Sequence, residues 1–108
     1  MMDTTTFSAL AEPTRLRMVE VLKNGPLSVG EIAEQLGLRQ PQASKHLRVL
    51  LEAGLVEVEA AANRRNYRLR TEPLQALDAW LEAYRKMWNE RFDNLDEYLR
   101  HLQSKDTE

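Results

Sequence analysis

From Leu74 to Leu102 the chain has neither glycine nor proline, and Leu74, Leu77, Leu81, Tyr84, Trp88, Phe92, Leu95, Leu99 and Leu102 recur at spacings of three and four. That period predicts one amphipathic helix over 73–102, with Pro73 in its first turn. About thirty residues at 1.5 Å each reach on the order of 45 Å. A domain of about 100 residues has a radius of gyration near 13 Å. The helix is therefore longer than its own domain can cover, and its apolar seam calls for a second chain.

Shorter elements precede it. Phe7, Leu10 and Ala11 suggest a short first helix. In "TRLRMVEVLKNG", Thr14 is a candidate cap, Leu16, Val19 and Leu22 (or Val21) keep helical spacing, and Asn24-Gly25 closes the run. In "PLSVGEIAEQLG", Ser28 and Glu31 form an S-x-x-E capping box, Ile32, Ala33 and Leu36 give the buried stripe, and Gly37 ends the helix. A further helix starts near Pro41. Counting 100° per residue, Leu47, Leu50, Leu51 and Gly54 share the face of Ala43, while Lys45 and Arg48 lie opposite. Two short capped helices joined by a tight glycine-containing turn are the sign of a helix-turn-helix, here over 28–54. "LVEVEA" and "NYRLR" alternate around the polar "ANRR", which reads as a hairpin over 55–70 with Arg64 and Arg65 at or near its tip. The expected fold is mainly α with a small β-hairpin wing: a single winged helix-turn-helix domain over 1–108, with a long C-terminal dimerisation helix.

At 108 residues and a net charge of −2, the chain as a whole does not look like a nucleic-acid binder. The distribution does. Residues 1–38 carry three basic and five acidic side chains, residues 39–70 seven basic and three acidic, and residues 71–108 five basic and nine acidic. A basic middle between acidic ends is either an unevenly charged solvated surface or an electrostatic footprint. Gln42, Lys45 and Arg48 on one front of a helix favour the footprint, because Gln bonds adenine bidentately and Lys or Arg bond guanine or phosphate. The helix N-terminus itself favours a phosphate, and wing arginines reach the backbone or a narrow minor groove. A protein-interaction module built on the same fold would not need that front. An enzyme would need a nucleophile–base pair or clustered ligands; with no cysteine and two distant histidines, no such constellation is visible.

"ALAEPTRLRMVEVL", "VGEIAEQLGLRQPQASKHLRVLLEAGLVEV" and "RRNYRLR" together resemble the ArsR family of bacterial winged-helix repressors, over about residues 7–70. The resemblance implies a homodimer that binds double-stranded DNA at an inverted repeat and represses. It implies DNA contacts at Gln40, Gln42, Ser44 and Lys45, with Arg48, Arg64 and Arg65 on the backbone. It also implies a dimer interface built from the first and last helices, which here offer Phe7, Leu10, Leu77, Leu81, Tyr84, Trp88, Phe92 and Leu95. Arg39 stands where relatives often have a serine cap, so capping must come from elsewhere, and Arg39 is free for a phosphate.

The family's two metal sites would fall on Ser28 and Gly30, and near Thr71, Pro73, Tyr84 and Met87. None of these is a good ligand for zinc or its neighbours. The expectation is therefore the metal-independent branch, without a cofactor. His46, on the flank of the recognition helix, either touches DNA or orients the helix against a neighbour. His101 reads as surface. Arg15 and Arg17 read as solvated or near the DNA backbone. Trp80, Tyr84, Met87 and Trp88 read as core or interface, with a pocket for a small organic effector as the alternative. The absence of cysteine fits a reducing compartment. No run in the chain approaches the ~18 apolar residues of a membrane span, and "MMDTTTFSAL" lacks the basic and apolar regions of a signal peptide, so a cytoplasmic protein with no membrane partner is expected.

Overall fold

The computed structural model describes residues 3–61 and 63–106. The elements run α1 (Thr4–Leu10), α2 (Pro13–Leu22), β1 (Leu27–Ser28), α3 (Val29–Leu36), α4 (Gln40–Glu52), β2 (Val56–Ala61), β3 (Arg64–Leu69) and α5 (Thr71–Asp106). The chain divides into two compact units, Met1–Gln75 and Ala76–Glu108, and α5 runs through both.

The first unit is organised by its caps. Asp3 caps α1, accepting from the Thr5 N–H. The cap of α2 is Glu12 rather than Thr14: with Pro13 in the first turn, the residue before it is held extended, and the Glu12 carboxylate reaches the Arg15 N–H at 2.9 Å. At α3 the capping box forms as expected. Ser28 Oγ accepts from the Glu31 N–H, and the Glu31 carboxylate accepts from the Ser28 N–H at 3.0 Å. Gly37 and Gly54 end α3 and α4 with φ of 67° and 76°, a left-handed turn that costs glycine nothing. In each case the next residue bonds back five positions, Leu38 N to Ala33 O and Leu55 N to Leu50 O, which satisfies the last free carbonyls.

The core lies where these helices meet. Met18 and Leu22 of α2, Ile32, Ala33 and Leu36 of α3, Ala43, Leu47 and Leu50 of α4, and Leu55 and Val56 beyond it are all buried. Two expectations fail here. Leu16 points outward, and Met18 takes the inward position on α2; Leu51 is 40% exposed because Leu47 and Leu50 already fill the contact. A six- to ten-residue apolar pattern leaves the helix phase ambiguous by one residue, and packing resolves it.

The wing is one strand larger than expected. β3 is the centre of a three-stranded antiparallel sheet in the order β1-β3-β2, with Leu27 opposite Tyr67 and Val58 opposite Tyr67 on the other side. Two residues of β1 are too few to show a period in the sequence. Arg64 and Arg65 are the first residues of β3, paired with Ala61 and Ala60, and not part of the turn itself. Of that turn, Ala62 lies outside the described residues.

In the second unit α5 continues without a break, and the helix exceeds the expected 73–102 at both ends. Its polar face carries ion pairs: Arg85 with Asp78 and Glu82, and Arg100 with Asp96. The other face leaves Tyr84, Trp88, Phe92, Leu95 and Leu99 exposed, Phe92 to 66%.

Candidate nucleic-acid interface

Helix α4 separates its two jobs by phase. Ala43, Leu47 and Leu50 have no accessible surface. Gln40, Gln42, Ser44, Lys45 and Arg48 are all exposed. Thirteen residues make a rod of about 20 Å, a length that the major groove of B-DNA accepts edge-on. The Arg39 side chain makes no capping bond, so the first turn of α4 opens on unpaired N–H groups beside a cation. Gln40 leans the other way. A Cβ added to Gly30 would stand 3.1 Å from Gln40 Nε2, so the absence of a side chain at Gly30 makes room for the Gln40 amide over α3.

The wing arginines are not equivalent. Pairing of β1 with β3 sets Ser28 opposite Asn66, and the two-residue period of β3 puts Arg64 on the same face. The Arg64 guanidinium consequently reaches the first turn of α3, donating to Glu31 Oε1 at 2.9 Å and to Ser28 Oγ at 3.4 Å. Arg65, Lys45 and Arg39 have no ion-pair partner among the described residues. Arg48 is paired along its own helix with Glu52 at 3.4 Å. Four cations of the front and wing are thus available or only loosely held, over a half-buried scaffold.

Residues 10–59 match a helix-turn-helix domain family. The chain is 44% identical over 78 residues to the HTH-type transcriptional regulator Rv2034 of Mycobacterium tuberculosis, covering 72% of this chain and 73% of that protein. Among solved structures it resembles an ArsR family transcriptional regulator, RHA00566, at 30% identity and a TM-score of 0.68, covering 80% of this chain and 89% of the other. It also resembles the homodimeric winged helix-turn-helix DNA-binding domain of Mb0332 from Mycobacterium bovis, at 30% identity and a TM-score of 0.64, covering 77% of each chain. Further relatives are the transcriptional repressor SdpR of Bacillus subtilis and the biofilm growth-associated repressor of Xylella fastidiosa.

The chain belongs to the ArsR family of winged helix-turn-helix transcriptional regulators. In this ArsR-family chain the position expected of one metal ligand, Ser28, is committed to the capping box, and the other, Gly30, has no side chain. The described residues hold no group of three or more His, Cys, Asp or Glu placed to bind a metal ion. No helix among them is long and apolar enough to cross a membrane.

Of the two settings expected of His46, the structure shows the contact with a neighbouring helix. Its ring is turned from the exposed front toward α2, with Nδ1 3.5 Å from Arg15 Nη1 and 3.8 Å from Glu12 Oε2, and its side chain is 21% exposed. Arg15, expected to be solvated or near the DNA backbone, is part-buried and turned onto α1 and α4. The acidic residue before Pro13 was the available signal, since a carboxylate at a helix cap attracts a cation. Of the dimer candidates, Phe7 is 38% exposed, Leu10, Leu77 and Leu81 are half-buried, and Tyr84, Trp88, Phe92 and Leu95 are exposed.

The carboxylates at the helix starts are tuned by those caps. Backbone N–H donation from Arg15 holds the Glu12 carboxyl below its ordinary 4.5, with the nearby His46 and Arg15 adding to the effect. The Ser28 N–H and hydroxyl do the same for Glu31, with a smaller contribution from Arg64.

Proposed function

We propose that this regulator acts as a homodimer on an inverted-repeat DNA operator, laying one α4 in the major groove of each half-site and the wing along the flanking backbone, and that it represses. The observation that carries the reading is the phase of α4: a fully buried Ala43–Leu47–Leu50 face with Gln42, Ser44, Lys45 and Arg48 exposed on the others. A helix that served packing alone would not need that set. The homodimeric Mb0332 domain and the repressors among the relatives support it.

In this reading Gln42 reads a base, Gln40 and Ser44 assist, and Lys45, Arg48 and Arg65 hold phosphates. Residues 1–108 work as one functional unit: helix-turn-helix 28–54, wing 55–70, and a seam over 73–102 that meets its twin. The protein works in the cytoplasm, has no catalytic activity, and releases DNA without a metal. If a small organic effector exists, Trp80 and Tyr84, whose rings stand 4.9 Å apart, offer it an aromatic surface.

Selection of bound duplexes from a random pool with the purified full chain tests this. Two half-sites about one helical turn apart are the expected product. Recovery of no common sequence, or of a single half-site bound by a monomer, would overturn the reading.

A further inference from the structure

Three elements of the first unit meet at one guanidinium. Arg15 Nε donates to Ala9 O at 2.7 Å and Nη2 to Ser8 O at 3.5 Å, both carbonyls of the last turn of α1. Nη1 faces His46 Nδ1 of α4 at 3.5 Å. The Arg15 backbone N–H is the group capped by Glu12 at the start of α2. Helix α1 has no basic residue in its own last turn, so Arg15 supplies the cation that a helix C-terminus favours. An arginine only donates, so this contact is a hydrogen bond when Nδ1 is the unprotonated nitrogen of the His46 ring. The knot is half-buried, with the His46 and Glu12 side chains 21% and 33% exposed.

We propose that Arg15 and His46 are positioning residues for DNA recognition: they fix the recognition helix relative to α1, and neither touches DNA. The inference rests on the operator-binding reading above. Its physical basis is leverage. His46 stands six residues from Gln40, about 9 Å along the helix axis at 1.5 Å per residue. A tilt of about 10° around His46 therefore moves the reading end by roughly 1.5 Å, three times the ~0.5 Å window of a hydrogen-bond distance. The buried Ala43–Leu47–Leu50 face resists separation from the core but, being apolar, sets no direction of its own. The planar fork of Arg15, which holds two carbonyls of α1 and one ring nitrogen of α4, does. A lysine at this position would keep the charge and lose the fork.

The test uses the full chain, the duplex obtained by selection, and the variants Arg15→Lys, His46→Leu, the two combined, and His46→Asn. Arg15→Lys and His46→Leu should each weaken binding about tenfold, and the combination should cost no more than the larger single change, as expected for one coupled unit. His46→Asn, whose amide oxygen can replace the Nδ1 acceptor, should recover affinity to within about threefold of wild type. The slope of log affinity against log salt should stay at the wild-type value, because no phosphate contact is lost. Base preference within each half-site should also be unchanged. Additive losses, failure of His46→Asn to recover, a salt slope lowered by about one charge per half-site, or a relaxed preference at one base pair would each overturn the proposal. If Arg15→Lys does not fold, the His46→Leu and His46→Asn pair decides it. If wild-type protein selects no duplex, the operator-binding reading has failed, and that is seen before any variant is measured.

Discussion

The Arg64 guanidinium donates to the Glu31 carboxylate at 2.9 Å, which ties the first residue of the wing's second long strand to the first turn of α3. Arg64 must give up that partner before it can hold a phosphate; Arg65, one residue on, has no ion-pair partner to give up among the described residues. Arg65→Ala should therefore flatten the salt dependence of DNA binding by about one charge per half-site, and Arg64→Ala by clearly less. The Arg64–Glu31 pair is exposed, so the effect of Arg64→Ala on stability should stay within about 1 kcal/mol. Binding isotherms at four salt concentrations check this; equal slopes for the two variants would show that Arg64 leaves Glu31 freely.

Gly30→Ala separates stability from recognition. Replacing a helical glycine by alanine stabilises by roughly 0.5–1 kcal/mol where the new methyl fits. Here the methyl would meet the Gln40 amide at 3.1 Å, the movable end of a flexible side chain. The expected variant melts no lower than wild type yet binds its operator less tightly. Unchanged affinity would show that the setting of Gln40 over α3 does not matter for reading DNA.

Two leucines of α4 should behave differently although one residue type and one helix are involved. Leu47 is fully buried and Leu51 is 40% exposed. Leu47→Ala should cost about 2–5 kcal/mol through lost burial and the cavity left behind. Leu51→Ala should cost well under half of that. Urea midpoints at constant m-value measure both.

Acid should weaken the first unit through its helix caps. Asp3, Glu12 and Glu31 each accept backbone N–H bonds at a helix start, and all three carboxyls are held below their ordinary values by those bonds. A depressed folded value means that the stabilisation is complete above the unfolded value and is lost as the pH falls through the folded one. The melting temperature should hold down to about pH 5 and fall below about pH 4.5. Glu12→Gln and Glu31→Gln should each start lower and flatten that acid limb.

The exposed seam of α5 should be covered by a second copy. Tyr84, Trp88, Phe92 and Leu95 are between 41% and 66% exposed. A monomer rarely leaves so long an apolar stripe in water, and homodimer interfaces of this kind bury over ~2,000 Å². Sedimentation at low micromolar concentration should show two chains per particle, and Trp88→Asp should give one. A folded wild-type monomer there would contradict this.

The sequence by itself determined whatever depends on local chemistry. The capping box of Ser28 and Glu31, the glycine stops at 37 and 54, the turn into α4 and the unbroken α5 are each settled within four or five residues, because capping, left-handed φ and helix propensity act at that range. The exposed set Gln42, Ser44, Lys45 and Arg48 follows from helix phase once Ala43 and Leu47 are known to face inward. Only the tertiary structure decided what spans elements. It put Met18 in the core and Leu16 outside, because an apolar run of two turns fits either phase until α3 and α4 pack on it. It added β1, whose two residues carry no period and pair only because β3 lies beside them. It turned Arg64 onto Glu31 and His46 onto Arg15, contacts 33 and 31 residues apart in the chain. A charged or aromatic side chain reads alike in sequence whether it meets solvent, DNA or another helix; which of them it meets is fixed by the neighbours that folding brings to it.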